Sequence, residues 1–234
     1  MRTALSSGPI IYCAIDTPDL ARACDLARMI GPVTGGLKLG LEFFNAHGSD
    51  GVAEVMAAAP DASFFLDLKY HDIPNTVASA VRAVCSKVRP DYLNVHASGG
   101  YEMMARAKEA CPDGVKLLAV TVLTSLDERA LQEVGQSVPV QDQVMRLAEL
   151  TQRVGLDGVV CSSHEIDILR HICGDGFILM VPGIRPVGAQ VQDQKRIMTP
   201  QDALQKGASH LVIGRPITGA NDPAQAARDI LSQI

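Results

Sequence analysis

The chain lacks the short motifs that bind the commonest metals and cofactors. It has no GxGxxG dinucleotide fingerprint, no P-loop, no HExxH zinc motif and no GxSxG nucleophile elbow. Its six cysteines form no CxxC pair, and its six histidines show no metal-ligand spacing. Because these absences argue against most cofactor-dependent and metal-dependent chemistry, we expect a protein that uses no metal and no organic cofactor.

Basic charge is also scarce. The 234 residues carry 21 Lys and Arg against 26 Asp and Glu, which gives a formal net charge of −5. Nucleic-acid-binding surfaces are normally basic, so we expect no nucleic-acid partner. A few local Lys and Arg side chains are still sufficient to bind a small anion such as a phosphate group.

Long apolar runs are absent as well. The apolar stretches are short and alternate with amphipathic ones, so none reaches the roughly 20 residues that cross a bilayer. The first ten residues contain no apolar core of a signal peptide. Several cysteines lie in apolar contexts, where a free thiol behaves as a small hydrophobic side chain. These patterns predict a cytoplasmic protein with no membrane association.

Apolar runs and amphipathic stretches alternate from end to end, which is the pattern of βα units around a parallel sheet. Strands are predicted at residues 10–16, 36–39, 63–69, 92–96, 116–123, 158–162, 177–182 and 210–214. Helices are predicted at residues 19–30, 75–88, 101–110, 141–154 and 223–233, with another that begins near Pro200. Eight strands match a closed (β/α)8 barrel, so we expect one domain over residues 1–234. A doubly wound open sheet is the alternative.

Polar residues follow most of the predicted strands. In a (β/α)8 barrel the functional site forms at the C-terminal ends of the strands, so these residues are the candidates for it. They are Asp16, Lys38, Asp67, Lys69, His96, Thr124, Arg185 and Arg215. Asp16, and beyond the third strand Asp72 and Thr76, have an alternative role in capping a helix or a turn.

The most informative segment spans residues 67–76, where a buried-looking strand ends in charged residues. Side chains two apart on a strand share a face, so Asp67 and Lys69 point into the same space. Lys38 lies in mid-strand, and Lys is seldom buried without a partner. We expect Lys38 to pair with Asp67 and Lys69 with Asp72, because desolvated charges are costly unless they are paired. A purely structural ion-pair network is the alternative.

The last two strands carry the features of a phosphate site. In barrels, the loops after strands seven and eight often bind a phosphate through backbone N–H groups and a basic side chain. Arg185 follows the seventh strand, and Gly214 and Arg215 follow the eighth. The polar connection 186–199 is long for its position, which indicates a lid, and within it Gln194 is the candidate for reaching a ligand. A surface loop with a solvated Gln194 is the alternative.

Several segments spread over the chain form a specific combination. They are Ala14-Ile-Asp16, Gly36-Leu-Lys-Leu-Gly40, Asp67-Leu-Lys-Tyr-His-Asp-Ile-Pro-Asn-Thr76, Asn94-Val-His96, Thr121-Val-Leu-Thr124, Pro182-Gly-Ile-Arg185, Asp193-Gln-Lys-Arg196 with Thr199-Pro200, and Gly214-Arg-Pro-Ile-Thr218. In this order they resemble the orotidine 5′-phosphate decarboxylase family of the bacterial type. The DxKxxD pattern followed by Ile-Pro-Asn-Thr is highly specific.

The resemblance implies that orotidine 5′-phosphate loses CO₂ to give UMP, the last step of UMP synthesis, without a metal or organic cofactor. By match of motif, Lys69 donates a proton to C6 of the pyrimidine and Asp67 faces the departing carboxylate. Lys38 and Asp72 complete the charged group. The implied substrate contacts are Asp16 and Lys38 at the ribose, Thr124 at the pyrimidine edge, and Arg185, Gln194, Gly214 and Arg215 at the phosphate. His96, which ends a strand before a Gly pair, is a further candidate for binding the substrate.

The resemblance also implies a homodimer, because in this family Asp72 and Thr76 reach the neighbouring subunit's site. One departure from the family pattern concerns the lid, where Gln192 precedes the Asp193-Gln194 pair in place of an acidic residue. This departure bears on the alignment of Gln194 and leaves the charged group untouched.

Two alternative functions are open at this point. The first is a Mg²⁺-dependent sugar-phosphate decarboxylase or aldolase of the same barrel superfamily. Such relatives are expected to carry an acidic residue where this chain has Lys38, and to lack the Ile-Pro-Asn-Thr segment. The second is a non-catalytic barrel that binds a nucleotide phosphate, which needs the phosphate groups but not two lysines and two aspartates together.

Overall fold

The structure, a computed structural model, describes residues 8–186 and 198–234. Eight parallel strands pair in chain order and close into a barrel. They are β1 (Ile11–Ile15), β2 (Gly35–Gly40), β3 (Ser63–Tyr70), β4 (Tyr92–His96), β5 (Lys116–Val120), β6 (Gly158–Val160), β7 (Ile178–Val181) and β8 (His210–Ile213). The first and last strands are hydrogen-bonded neighbours, with Ile11 opposite Leu211. The predicted (β/α)8 barrel is therefore confirmed, and the open-sheet alternative is wrong.

Helices surround the barrel. They are α1 (Leu20–Thr34), α2 (Leu41–Ala58), α3 (Pro74–Lys87), α4 (Gly100–Ala110), α5 (Glu128–Glu133), α6 (Val140–Val154), α7 (Ile166–Cys173), α8 (Pro200–Gln205), α9 (Arg215–Thr218) and α10 (Pro223–Leu231). The predicted helices are present with ends shifted by a few residues. The prediction missed α2, α5, α7 and α9. The sequence of α2 is interrupted by Gly48, a residue with a non-helical φ of 60°. Within the described residues, no helix has the length and apolarity needed to cross a membrane.

The start of α1 decides between two roles for Asp16. The N-cap of this helix is Asp19, whose carboxylate accepts the backbone N–H of Arg22 at 3.0 Å. Asp19 satisfies one of the N–H groups that a helix end leaves unpaired. The capping alternative for Asp16 is therefore wrong, and its carboxylate is available to the barrel mouth.

The apolar core has two layers. The outer layer packs the helices against the outside of the barrel, while the inner layer fills its interior. The inner layer comprises Tyr12, Ala14, Phe65, Tyr92, Leu118, Val120, Val160, Ile178, Met180 and Val212. A filled interior is normal for an eight-stranded barrel, whose centre is a packed core and not a pore.

An aromatic group closes the N-terminal end of the barrel. The rings of Tyr12, Tyr92 and His210 meet edge to face, with centroids 5.3 to 5.5 Å apart. The Tyr92 hydroxyl lies 3.0 Å from Nε2 of His210, and the other ring nitrogen of His210 lies 2.8 Å from the Pro9 carbonyl oxygen. Because this end is packed and hydrogen-bonded, a ligand reaches the barrel from the C-terminal ends of the strands.

Candidate active site

Four charged side chains meet at the C-terminal mouth of the barrel. The Lys38 ammonium, from β2, lies 2.8 Å from Asp16 and 3.9 Å from Asp67. The Lys69 ammonium, from β3, lies 2.5 Å from the other oxygen of Asp67. Asp67 therefore bridges the two lysines, and Asp16 occupies the far side of Lys38. The side chain of Lys38 is buried, with an exposure of 9%, and that of Asp67 is partly buried at 14%, whereas Asp16 is largely exposed.

The Asp67 carboxylate is held in its charged form. Burial alone raises the pKa of a carboxyl group because it removes the charged form from water. At Asp67 the attraction of Lys38 and Lys69, together with hydrogen bonds from Lys69 and Asn94, outweighs this effect and lowers the pKa below its ordinary value. The mouth therefore contains a fixed anion between two cations.

One predicted ion pair is wrong. The sequence predicts a pair between Lys69 and Asp72, but within this chain Lys69 pairs with Asp67. The Asp72 carboxylate is exposed and accepts the backbone N–H of Ile73 at 2.6 Å, at the turn that leads into α3. The turn before Pro74 carries Asp72 past the end of the strand, so its own barrel mouth is completed by Asp16 instead.

Asn94 of β4 belongs to the same group, and the sequence did not single it out. It is fully buried, its Nδ2 donates to Asp67, and its Oδ1 accepts the backbone N–H of Lys69, each at 2.7 Å. A signal was present in the sequence, because an Asn in the middle of a buried strand requires hydrogen-bond partners. The nearest polar residues with predicted roles were Asp67 and Lys69, on the neighbouring strand.

An apolar cavity of about 160 Å³ opens beside Asp67 and Lys69. Its walls come from five strand ends and their following loops: Phe65, Asp67, Lys69, Val120, Val122, Leu123, Thr124, Val160, Cys161, Pro182 and Val212. Thr124 lies on this wall, as its place after β5 predicted. The cavity has the composition of a small-molecule site, with a few polar groups set in an apolar surface.

His96 lies next to this cavity but not in its wall. Its ring stacks at a 33° tilt on His71, with centroids 5.5 Å apart, and both line a neighbouring cavity of about 200 Å³. Burial, with the nearby His71 and Lys69, lowers the pKa of His96 below its ordinary value. The structure thus places His96 beside the charged group, and its contact with a substrate stays a prediction.

The residues predicted for the phosphate lie around the ends of β7 and β8. Gly214 directly follows β8 and lies close to the first strand, where a Cβ added to it would lie 3.4 Å from that of Ala14. Arg215 is exposed at the start of α9, whereas Arg185 is buried and its guanidinium donates to the Ile184 carbonyl at 3.0 Å. The structure brings Gly214 and Asp16 together at the mouth. Gln194 falls outside the described residues.

Thr76 and Asp72 lie apart from the cavity. Thr76 is exposed in the first turn of α3, two residues after Pro74. Both side chains therefore face away from their own barrel's interior.

Within residues 8–186 and 198–234, no three His, Cys, Asp or Glu side chains are grouped so that they could hold a metal ion.

Comparison with known proteins gives consistent matches. The family described as "Orotidine 5'-phosphate decarboxylase / HUMPS family" matches residues 9–230. An orotidine 5′-phosphate decarboxylase of Rhodospirillum rubrum is 53% identical over 232 residues, which covers 96% of this chain and 93% of that protein. One from Sphingopyxis alaskensis is 50% identical, covering 94% of this chain and 96% of the relative. The crystal structure of the Lactobacillus acidophilus enzyme superposes with a TM-score of 0.83 at 35% identity, covering 97% of this chain and 99% of that chain.

Proposed function

The chain belongs to the orotidine 5′-phosphate decarboxylase/HUMPS family, and we infer from this and from its charged mouth that it converts orotidine 5′-phosphate to UMP and CO₂. This reaction completes the synthesis of UMP. The observation that carries the inference is the Lys69 ammonium, held 2.5 Å from Asp67 on the edge of an apolar cavity that also contains Thr124. No observation favours the sugar-phosphate alternative, because Lys38 stands where those relatives are expected to carry an acid.

The difficulty of the reaction lies in the charge that it creates. When the bond between C6 and the carboxylate breaks, its electron pair stays on C6, where the ring delocalises it little. A fixed ammonium next to that carbon stabilises the charge as it develops, and an apolar cavity strengthens the attraction. Lys69 supplies this ammonium and then transfers a proton to C6, so that the products are UMP and CO₂. Solvent returns the proton to Lys69 before the next turnover.

Asp67 has two roles in this scheme. Its carboxylate holds the Lys69 ammonium in place, and it faces the departing carboxylate of the substrate. The attraction of Lys38 and Lys69, which lowers the pKa of Asp67, opposes its protonation when the second anion binds beside it. Departure of neutral CO₂ relieves the repulsion between the two, which favours bond breaking.

The far end of the substrate supplies binding energy. Arg185, Gln194, Gly214 and Arg215 bind the phosphate, and Asp16 and Lys38 bind the ribose. Thr124 contacts the pyrimidine edge, and His96 contacts the substrate from the side of β4. Binding energy gained away from the reacting bond can be used to orient the ring against Lys69. The predicted lid falls on residues that lie largely outside the described ranges.

A homodimer completes each site with Asp72 and Thr76 of the partner. Both residues are exposed beside the mouth of their own barrel, in the turn and first helical turn after β3. Ile73 and Tyr101, at the same end of the barrel, expose 67% and 56% of their surface. Large exposed apolar side chains are typical of surfaces that a partner covers. Asp72 then lies across the interface from the Lys69 of the other chain.

The remaining features of the proposal rest on the composition of the chain and on its resemblance to the family. The chain acts in the cytoplasm as one domain over residues 1–234, uses no metal or organic cofactor, and binds no nucleic acid. Exhaustive chelation is therefore expected to leave turnover unchanged. Loss of activity on chelation that is restored by Mg²⁺ would instead support the sugar-phosphate alternative.

The deciding assay adds orotidine 5′-phosphate to the purified protein at neutral pH and follows the fall in pyrimidine absorbance. We expect complete conversion to UMP, identified by chromatography. Binding of UMP without any turnover of orotidine 5′-phosphate would contradict the proposal and support the non-catalytic barrel.

A further inference from the structure

We propose that Asn94 is a positioning residue for the reaction, because its side-chain amide fixes both the backbone that presents Lys69 and the carboxylate that holds the Lys69 ammonium. The consequence for catalysis rests on the proposed decarboxylation. The positioning itself rests on hydrogen bonds and backbone geometry within the described residues.

The pairing of β3 with β4 is irregular where the charged residues lie. Leu66 is opposite Leu93, and the next aligned pair is Tyr70 with Val95, so four steps along β3 match two along β4. Extra residues in one strand form a bulge, which bends the strand and redirects its side chains. Asp67 and Lys69 both lie within this bulge.

Lys69 adopts a conformation that needs support. Its φ is 49°, and it is the one non-glycine residue with a positive φ among residues 8–186 and 198–234. The left-handed region is unfavourable for a side chain with a Cβ, and such residues persist where surrounding contacts fix them. This left-handed conformation turns the Lys69 side chain back towards Asp67, which lies two residues earlier in the chain.

Asn94 supplies the contacts that fix the bulge. Its Oδ1 accepts the Lys69 backbone N–H at 2.7 Å, in place of the ladder partner that the bulge removes. Its Nδ2 donates at 2.7 Å to Oδ1 of Asp67, the same oxygen that accepts from the Lys69 ammonium at 2.5 Å. One amide therefore joins the backbone and the ion pair of the two reactive residues.

The chemistry of this position requires an amide. The Lys69 N–H can only donate, so the atom facing it must be an acceptor, and the atom facing the ionised Asp67 must be a donor. Asn provides both from a short side chain, whereas Asp lacks the donor and Leu lacks both. Asn94 is not among the residues that line the cavity, so it acts through Lys69 and Asp67 and not on the substrate.

Two substitutions test the proposal. Asn94→Leu keeps the branched shape of the side chain and removes both hydrogen bonds, and the smaller Asn94→Ala removes them without adding bulk. We expect Asn94→Leu to lower kcat about 100-fold with little change in KM, as for a misplaced reacting group. The matched control is Thr151→Val, which removes another hydrogen bond of a fully buried polar side chain, from the Thr151 hydroxyl to the Leu147 carbonyl at 2.7 Å. It is expected to retain wild-type kcat and KM.

The pH profile separates positioning from a general loss of structure. The hydrogen bond from Asn94 favours the charged form of Asp67, so its removal raises the pKa of that carboxyl group. The acidic limb of kcat/KM therefore moves to higher pH in Asn94→Leu, and it does not move in Thr151→Val. A kcat within a few-fold of wild type, with the acidic limb unmoved, would overturn the proposal.

A measurement without substrate makes the test independent of the assigned reaction. The Asp67 carboxyl carbon is titrated by ¹³C NMR, with its resonance identified from its loss in Asp67→Asn. A higher Asp67 pKa in Asn94→Leu supports the positioning role even if the wild-type protein fails to turn over orotidine 5′-phosphate. If circular dichroism shows that Asn94→Leu does not fold, Asn94→Ala decides, because it removes the same hydrogen bonds without adding a charge: a raised Asp67 pKa supports the role, and an unchanged one overturns it.

Discussion

The Lys38 ammonium is bound more closely by Asp16 than by Asp67, at 2.8 Å against 3.9 Å. Asp16 directly follows β1 and Lys38 lies in β2, so this contact joins two neighbouring strands across the barrel mouth. It also distributes the two anions so that each lysine has its own closest partner. The mouth is therefore pre-organised before a ligand arrives.

Asp16→Asn is expected to lower kcat/KM roughly tenfold, because a buried ammonium loses its charged hydrogen-bond partner. The effect is limited because Asp16 itself is largely exposed and Asp67 remains near Lys38. Steady-state kinetics on orotidine 5′-phosphate measures the change. Asp25→Asn, which breaks an exposed pair with Arg28, is the control and should leave kcat/KM unchanged. Equal effects of the two substitutions would show that the Asp16 contact has no particular importance.

Lys69→Ala is expected to reduce kcat by at least about 10³-fold, because it removes both the stabilising charge and the proton donor. UMP binding should persist, since the phosphate contacts are elsewhere, and calorimetry with UMP checks this. Lys206→Ala, which removes a surface lysine paired with Asp167, is the matched control. A Lys69→Ala protein with near-normal turnover would remove Lys69 from its assigned role.

A shared site predicts complementation between inactive variants. Lys69→Ala and Asp72→Ala are each expected to be nearly inactive, but a mixed dimer contains one site with Lys69 from one chain and Asp72 from the other. Equal amounts, refolded together, should recover about a quarter of wild-type activity if chains pair at random. Sedimentation of the mixture checks that dimers form. Activity no higher than that of the separate variants would mean that each chain carries a complete site.

The apolar exposure of Ile73 gives a second test of the dimer. Ile73→Asp should shift the protein towards monomer in sedimentation and lower activity in parallel, because a charge replaces an apolar contact in a buried interface. Met29→Asp changes an exposed apolar residue on α1 and should leave the dimer intact. A monomeric wild-type protein at assay concentration would contradict the shared site directly.

His210 makes stability depend on pH. Burial lowers the pKa of His210 to about 4, from an ordinary value of 6.5. Between pH 6.5 and about 4 the unfolded chain takes up a proton that the folded chain does not. The contribution of His210 to the free energy of unfolding is therefore fully present above pH 6.5 and is lost as the pH falls towards 4. The loss attributable to this residue is on the order of 3 kcal/mol.

Urea unfolding at several pH values measures this effect. His210→Gln is expected to be less stable than wild type at pH 7, because it disturbs the contacts with Tyr92 and Pro9, but to lose less stability between pH 7 and pH 4.5. If both proteins show the same dependence on pH, His210 is not the group that titrates.

The sequence predicted the barrel because its evidence is local and repeated. Alternating apolar and amphipathic stretches recur along the whole chain. The rule that barrel sites form at the C-terminal ends of the strands then selects the candidate residues. The grouping of Asp16, Lys38, Asp67 and Lys69 follows from that rule, since each lies at or near the C-terminal end of its strand.

The sequence did not predict the exact pairing, for a physical reason. Counting two residues per face assumes a regular strand, but β3 bulges after Leu66 and Lys69 takes a left-handed backbone. The Lys69 side chain consequently points back to Asp67, and Asp72 lies in the turn before α3. The bulge depends on Asn94 in the next strand, a tertiary contact that no local pattern reports.

The aromatic group at the N-terminal end of the barrel limits where ligands enter and leave. Tyr12, Tyr92 and His210 close that end of the described structure, so substrate and products share one opening. UMP must leave before another orotidine 5′-phosphate can enter, and CO₂ departs on the same side. Because UMP occupies the site that orotidine 5′-phosphate must enter, we expect its inhibition to be competitive, raising the apparent KM for orotidine 5′-phosphate while leaving kcat unchanged.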